Sequence, residues 1–230
     1  MTAPLKVAFL VFPGITQLDF TGPAQMLSNL GRATIESVAK SAAPIVTDSG
    51  FSIVPSATLD RCREADLLCV PGGVGIHDVM DDDEQLAWVR EVGGSAAHVT
   101  SVCTGSLVLA AAGLLEGYRA TSHWMWRDYL SLFGALPVDA RVVADRNRIT
   151  GGGVTAGIDF GLQLVATLRG EEHARMAQLA VEYDPEPPFD SGSPAAAGPE
   201  RVARLEAHSA KEIAWRAARI RAAAERLGRH

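Results

Sequence analysis

Short apolar runs that end at proline and glycine set the strongest limit on how this chain can fold. The first run, residues 7–12, reads VAFLVF and stops at Pro13-Gly14. A second run, Leu67–Val70, stops at Pro71-Gly72-Gly73. A strand that lacks a polar face must be covered on both sides, as strands in parallel sheets are. We therefore expect a buried, mainly parallel sheet.

Helical patterns alternate with these strands, which predicts an α/β architecture with helices on both faces of the sheet. Strands are expected at residues 7–12, 35–39, 51–54, 67–70, 99–102, 142–144 and 148–150. Helices are expected at residues 23–30, 83–92, 104–112, 124–133, 158–168 and 172–181, with Thr21 capping the first and Pro23 in its first turn. Ligands of such folds bind beyond the carboxyl ends of the strands.

The 230 residues predict one large domain, residues 1–183, followed by two smaller parts. Residues 184–199 are rich in proline, glycine and serine and are expected to form a linker arm. Residues 200–230 are expected to form a docking helix with an apolar stripe at helical spacing. The members of that stripe are Ile213, Ala217, Ile220, Ala224 and Leu227.

Charge and composition exclude several classes of partner. The net charge of −6 argues against a nucleic-acid binder, and no run approaches the ~20 apolar residues of a membrane span. Three cysteines without paired spacing are typical of reduced thiols, so we expect a cytoplasmic protein. The histidines lack the spacing of metal ligands, so we expect no metal.

The segment Ser101-Val102-Cys103-Thr104-Gly105 is the strongest chemical signal. A strand ends, one cysteine follows and a helix of small residues begins at once, which is the layout of a nucleophile elbow. A helix N-terminus stabilises a thiolate and can lower the pKa of a cysteine placed there. The alternative is that Cys103 is a small hydrophobic core residue.

Asp19 lies between two apolar residues just beyond the first strand. An apolar setting raises the pKa of a carboxyl group, so Asp19 is a candidate acid and base if it faces Cys103. An ordinary turn or capping aspartate fits the sequence equally well.

Three other positions are expected at the same end of the sheet. The turns at Gly73 and Gly152 can offer backbone N–H groups to a substrate. His123 starts a helix after a short strand, where it can either pair with Cys103 as a base or cap the helix against Trp124. The residues alone do not decide between these two roles for His123.

Several motifs together resemble the ThiJ/PfpI superfamily. They are VAFLVFPG (7–14), LDFTGP (18–23), VPGG (70–73), SVCTG (101–105), ATSHW (120–124), GGGVTAGID (151–159) and the arm VEYDPEPPFDSGSP (181–194). The resemblance implies a flavodoxin-like three-layer sandwich, a homodimer and no cofactor. It implies that Cys103 is the nucleophile and that Asp19 hydrogen-bonds its thiol.

The same resemblance narrows the expected activity. Many relatives carry glutamate at the position of Asp19, and the aspartate here is similar to that of the members that hydrate isonitriles to N-substituted formamides. In such an enzyme Thr104 would help to orient substrate or water. The superfamily's proteases carry histidine where this chain has Thr104, and its regulators need a DNA-binding domain larger than residues 200–230. A glyoxalase-like cysteine enzyme and a cysteine redox sensor are the alternatives.

Overall fold

The computed structural model describes residues 4–228 and centres on a seven-stranded sheet. The strand order is β10-β11-β7-β6-β1-β2-β5, and every neighbouring pair is parallel except β10 and β11. The strands of this sheet are β1 (Leu5–Leu10), β2 (Ala33–Ala39), β5 (Ala57–Thr58), β6 (Leu67–Val70), β7 (His98–Val102), β10 (Val142–Asp145) and β11 (Arg148–Gly151). The predicted α/β class with a mainly parallel sheet is confirmed.

Helices cover both faces of the sheet. Alternate side chains of each buried strand point to opposite faces, and those on each face pack into a separate hydrophobic core. In β1, Ala8 and Leu10 pack into one core while Val7 and Phe9 pack into the other. The first core lies under α2 (Ile76–Asp81), α3 (Asp83–Ser95), α4 (Gly105–Ala111) and α9 (Ala210–Arg226). The second lies under α1 (Gln17–Leu27), α5 (Ala156–Arg169) and α6 (Glu171–Ala180). The result is the expected three-layer sandwich.

Helix α1 begins at Gln17, six residues earlier than the sequence pattern predicts. Pro23 therefore lies inside the helix, and Thr21 is not its cap, since its hydroxyl donates to the Gln17 carbonyl oxygen at 3.1 Å. An internal proline loses one helix hydrogen bond. Packing of the buried face of α1 against α5 outweighs that loss.

The strand predicted at 51–54 is shorter and lies outside the main sheet. Here β4 (Ser52–Ile53) pairs antiparallel with β3 (Ile45–Val46). Both Phe51 and Val54 are exposed, so this ribbon gains little from burial.

The helix predicted at residues 124–133 also differs from the structure. A turn comes first, and a 3₁₀ helix then covers Arg127–Phe133. Beside it lie two short paired strands, β8 (Arg119–Ala120) and β9 (Leu136–Pro137).

The C-terminal segment forms two helices instead of one. α8 (Pro199–His208) and α9 are separated at Ser209, and a four-residue helix, α7 (Pro194–Ala197), lies in the preceding arm. Ala217, Ile220 and Ala224 are buried in the core of this same chain, and Ile213 and Leu227 are half-buried against it. The apolar stripe thus packs on the sandwich that precedes it.

Within residues 4–228, none of the helices has the length and apolar character needed to cross a bilayer.

Candidate active site

Cys103 sits at the sharp turn between β7 and α4. Its φ of +56° lies in the left-handed region, which side chains other than glycine rarely adopt. The Cys103 N–H donates to the carbonyl oxygens of Gly151 at 3.1 Å and Gly152 at 2.8 Å, and Ser122 Oγ donates to the Cys103 carbonyl at 3.0 Å. Two backbone hydrogen bonds and one from the Ser122 side chain therefore hold the strained turn that presents the thiol, as a nucleophile elbow requires.

Two glycines let the neighbouring backbones close around the elbow. A Cβ at Gly105 would lie 1.9 Å from the carbonyl oxygen of Val70. A Cβ at Gly72 would lie 2.6 Å from the backbone N of Thr104 and 2.8 Å from Oδ2 of Asp19. Only glycine fits at these positions, so the turn of the PGG motif and the turn of the CTG motif pack directly against each other.

Asp19 lies in the first turn of α1 with its side chain fully buried. Oδ2 accepts the Gly72 N–H at 2.9 Å, while Oδ1 meets no N–H or O–H donor among the described residues. Burial raises the pKa of Asp19 from 3.8 to about 7, although the bonds from Gly72 and the Cys103 thiol lower it. A carboxyl group in this state can give or take a proton near neutral pH.

The thiol of Cys103 interacts with this same carboxyl group. Burial and the adjacent Asp19 charge raise the pKa of Cys103 well above 9, and the bond from the Thr104 N–H lowers it only in part. The sequence-based expectation of a lowered cysteine pKa is therefore wrong, because desolvation outweighs the helix N-terminus. The thiol therefore holds its proton at neutral pH, and Asp19 is the adjacent group able to accept it.

Thr104 ties the elbow to the turn that follows β6. The side chain is buried, and its Oγ1 accepts the Gly73 N–H at 3.1 Å and lies 3.5 Å from the Gly73 carbonyl oxygen. The N–H of Gly73 is therefore already bonded to Thr104, and both residues line the cavity beside Cys103.

A cavity of about 330 Å³ opens above Cys103. Of the residues predicted for the site, it includes Cys103, Thr104, Gly73 and His123. The remaining wall is formed by Thr16, Asp48, Val74, Met125, Trp126, Val154, Ser209, Glu212, Ile213 and Arg216. This volume is within the range of small-molecule sites.

His123 lines the cavity without a hydrogen bond to Cys103. Its Nδ1 accepts the Met125 N–H at 3.4 Å, and its ring lies tilted over Trp124 with centroids 5.7 Å apart. Burial, helped by the charge of Arg216, lowers the pKa of His123 to about 4, so the ring is neutral at neutral pH. These contacts match the packing role more closely than the role of a base.

Gly152 supports the elbow from behind instead of lining the cavity above the thiol. Its carbonyl accepts the Cys103 N–H, and its own N–H donates to the carbonyl of Arg141 at 2.8 Å. A contact between the Gly152 N–H and substrate is therefore not available without breaking that bond.

Sequence reasoning missed ten of the residues that line the cavity, and four of them lie at the start of α9 or just before it. Ser209, Glu212, Ile213 and Arg216 bring the C-terminal segment onto the cavity. One signal was present in the sequence: Arg216 lies three residues after Ile213 and four before Ile220, so a cation interrupts the apolar stripe. A cation within an otherwise apolar docking face indicates a role other than packing.

Comparison with known proteins yields consistent matches. Residues 5–167 match the DJ-1/PfpI family. Isonitrile hydratase of Pseudomonas putida is 49% identical over 190 residues, which cover 83% of each chain. A solved ThiJ/PfpI family protein of Pseudomonas syringae has a TM-score of 0.90 at 48% identity, covering 97% of this chain and 91% of that one. An HTH-type transcriptional regulator of Pseudomonas aeruginosa is 28% identical over 77% of this chain and 49% of the regulator.

Proposed function

This chain belongs to the DJ-1/PfpI family, and from its site we propose that it hydrates isonitriles, R–N≡C, to N-substituted formamides. The observation that carries the proposal is a buried carboxyl group, Asp19, with a pKa near 7 beside the thiol of a strained elbow, Cys103. Similarity to the isonitrile hydratase of Pseudomonas putida supports this choice of substrate.

The reaction begins when Asp19 takes the thiol proton. The resulting thiolate attacks the terminal carbon of the isonitrile and a carbon–sulfur bond forms. Asp19 then donates its proton to that carbon, which gives a thioimidate, R–N=CH–S–Cys103, and an aspartate carboxylate. One group thus serves first as base and then as acid.

Water completes the turnover. The Asp19 carboxylate takes a proton from water as hydroxide adds to the thioimidate carbon, and it passes that proton to nitrogen. The hydroxyl proton of this adduct then returns to Asp19 as the carbon–sulfur bond breaks. The formamide R–NH–CHO leaves, and Cys103 and Asp19 share one proton again.

Surrounding residues fix the geometry of this cycle. Thr104 and Gly73 hold the two turns together, and Gly152 holds the backbone of Cys103. His123 and the half-buried Met125 form a wall of the cavity, against which the R group of the isonitrile packs. None of these steps uses a metal or cofactor.

Two other activities remain to be separated from hydration. A glyoxalase-like enzyme would act on methylglyoxal, and a redox sensor would consume its thiol once per molecule. We therefore propose a parallel assay of an aliphatic isonitrile and methylglyoxal, counting product molecules per chain. Many formamides per chain with no turnover of methylglyoxal is the expected result. Stoichiometric consumption of Cys103, or turnover of methylglyoxal alone, would contradict the proposal.

We also propose that the protein acts in the cytoplasm as a homodimer. Its three cysteines are all unpaired, which suits a reducing compartment.

A further inference from the structure

Arg216 is a buried cation on the wall of the cavity that holds Cys103. It projects from α9, and only 12% of its side chain is exposed. Its guanidinium lies over the Trp126 ring, 4.6 Å from the centroid, and its Nε donates to His77 Nε2 at 3.1 Å. Stacking and one directed bond therefore fix where this charge sits.

The groups that hold Arg216 do not cancel its charge. Burial lowers the pKa of His77 to about 4, helped by Arg216 and Arg219, so this imidazole is neutral and accepts a hydrogen bond. Glu212 lies 3.3 Å from Nη1, but its side chain is 57% exposed and solvent screens it. Nη2 has no hydrogen-bond partner among residues 4–228. The net field of this group at the cavity is therefore positive.

We propose that Arg216 is a positioning residue whose charge favours transfer of the Cys103 thiol proton to Asp19 and so assists formation of the attacking thiolate. This inference rests on the Cys103–Asp19 pair of the proposed function. It gives the C-terminal helix α9 a part in the chemistry, because α9 supplies the cation.

The charges of Arg216 and Asp48 both favour transfer of the proton from Cys103 to Asp19. Burial and Asp19 raise the pKa of the Cys103 thiol, whereas the charge of Arg216 lowers it. On Asp19 the acting charge is instead that of Asp48, which raises the pKa of that carboxyl. Asp48 thus favours a protonated Asp19 while Arg216 favours an ionised Cys103. Glu212 opposes Arg216 from the exposed side, and His77 and His123 are neutral.

The test measures how fast iodoacetamide alkylates Cys103 across pH, with peptide mass spectrometry to locate the label. Cys62 and Cys69 are fully buried, and burial raises their pKa values to about 11 and 12, so they react slowly. Arg216→Met and Arg216→Gln should both raise the pH midpoint of alkylation by about one unit. At pH 7 the rate should then fall about tenfold. Arg216→Gln keeps a hydrogen-bond donor for His77, so the test can rely on this variant if Arg216→Met does not fold.

Arg216→Lys keeps the charge and should restore most of the rate. Arg219→Met is the matched control on the same helix, since Arg219 pairs with Asp78 at 2.8 Å and with Asp81 but does not line the cavity. It should leave the midpoint unchanged. A wild-type midpoint in both neutral Arg216 variants, or an equal shift in Arg219→Met, would overturn the inference.

Alkylation needs no isonitrile, so failure of the two proposals can be told apart. A shifted midpoint in a protein that does not hydrate isonitriles would leave the role of Arg216 intact and remove the proposed function. Formamide production with an unshifted midpoint would remove the role of Arg216 alone.

Discussion

At Asp19 the proposed acid–base role and a cost in stability have the same origin, burial of the carboxyl group. Its carboxyl group is fully buried and meets a single backbone donor, the Gly72 N–H. The raised pKa means that the folded chain binds this proton more tightly than the unfolded chain, whose value is near 3.8. The stability that comes from this proton is present below about pH 4 and is lost as pH rises through about 7.

Asp19→Asn should separate these two effects. The amide keeps the shape and the bond to Gly72 but cannot exchange a proton, so turnover should fall by ~10²–10⁴ while Cys103 still reacts with iodoacetamide. At pH 8 the variant should be more stable than wild type by up to about 4 kcal/mol, since each unit of the shift is worth ~1.4 kcal/mol. That difference should vanish near pH 4 in urea unfolding. Near-wild-type turnover would instead favour a structural Asp19.

At the scale of elements, the elbow depends on the closeness of β6, β7 and α4. Gly105→Ala would force a Cβ into the carbonyl of Val70, and backbone cannot yield as a flexible side chain does. We expect a loss of several kcal/mol or failure to fold, measured by thermal unfolding. Gly94→Ala is the control, because that helical glycine has open space around it and alanine should add about 0.5–1 kcal/mol. Equal behaviour of the two variants would contradict the packing described for the elbow.

Helix α9 should contribute to stability through its buried stripe. Ile220 is fully buried, and Ile220→Ala should cost about 2–5 kcal/mol in urea unfolding. Leu205→Ala on α8 should change the free energy of unfolding by less than about 0.5 kcal/mol, since that side chain is 47% exposed. A loss at Leu205 as large as that at Ile220 would show that α8 carries the docking.

Sequence patterns predicted the elements whose signals are local. Six of the seven strands of the main sheet, and the elbow, were predicted from short strand-like runs and from glycine at fixed offsets, whereas the two-residue β5 was not predicted. The start of α1 was missed because packing against α5, far along the chain, overrides the preference of Pro23 for a first turn. The separation of α8 from α9 at Ser209 likewise has no proline or glycine to mark it.

At the scale of the whole molecule, the site joins segments that are distant in sequence. The pairing of Cys103 with Asp19 was predicted only through the family resemblance, and the sheet explains it, since both residues follow strands whose carboxyl ends share one edge. The place of Arg216 in the site could not be predicted, because nothing in the local sequence shows which part of the sandwich α9 covers. The lowered pKa expected for Cys103 failed for a related reason: burial depends on the complete fold.

The expected homodimer is also a property of the whole molecule. Light scattering after gel filtration should give twice the chain mass of 24.3 kDa. Several large apolar side chains of the described chain are exposed, among them Met176, Leu179 and Phe189, and they offer surface for such contact. A mass of 24.3 kDa at micromolar concentration would contradict the dimer.

In the proposed function, Cys103 forms a covalent bond with the isonitrile carbon before the formamide is released. The most direct test compares formamide production by wild type and Cys103→Ala with an aliphatic isonitrile, following product by mass spectrometry. Removing one sulfur atom at this turn should leave the thermal unfolding midpoint nearly unchanged. Wild type should release many formamides per chain, and Cys103→Ala should release none above the uncatalysed rate. Activity in Cys103→Ala within tenfold of wild type would contradict the account.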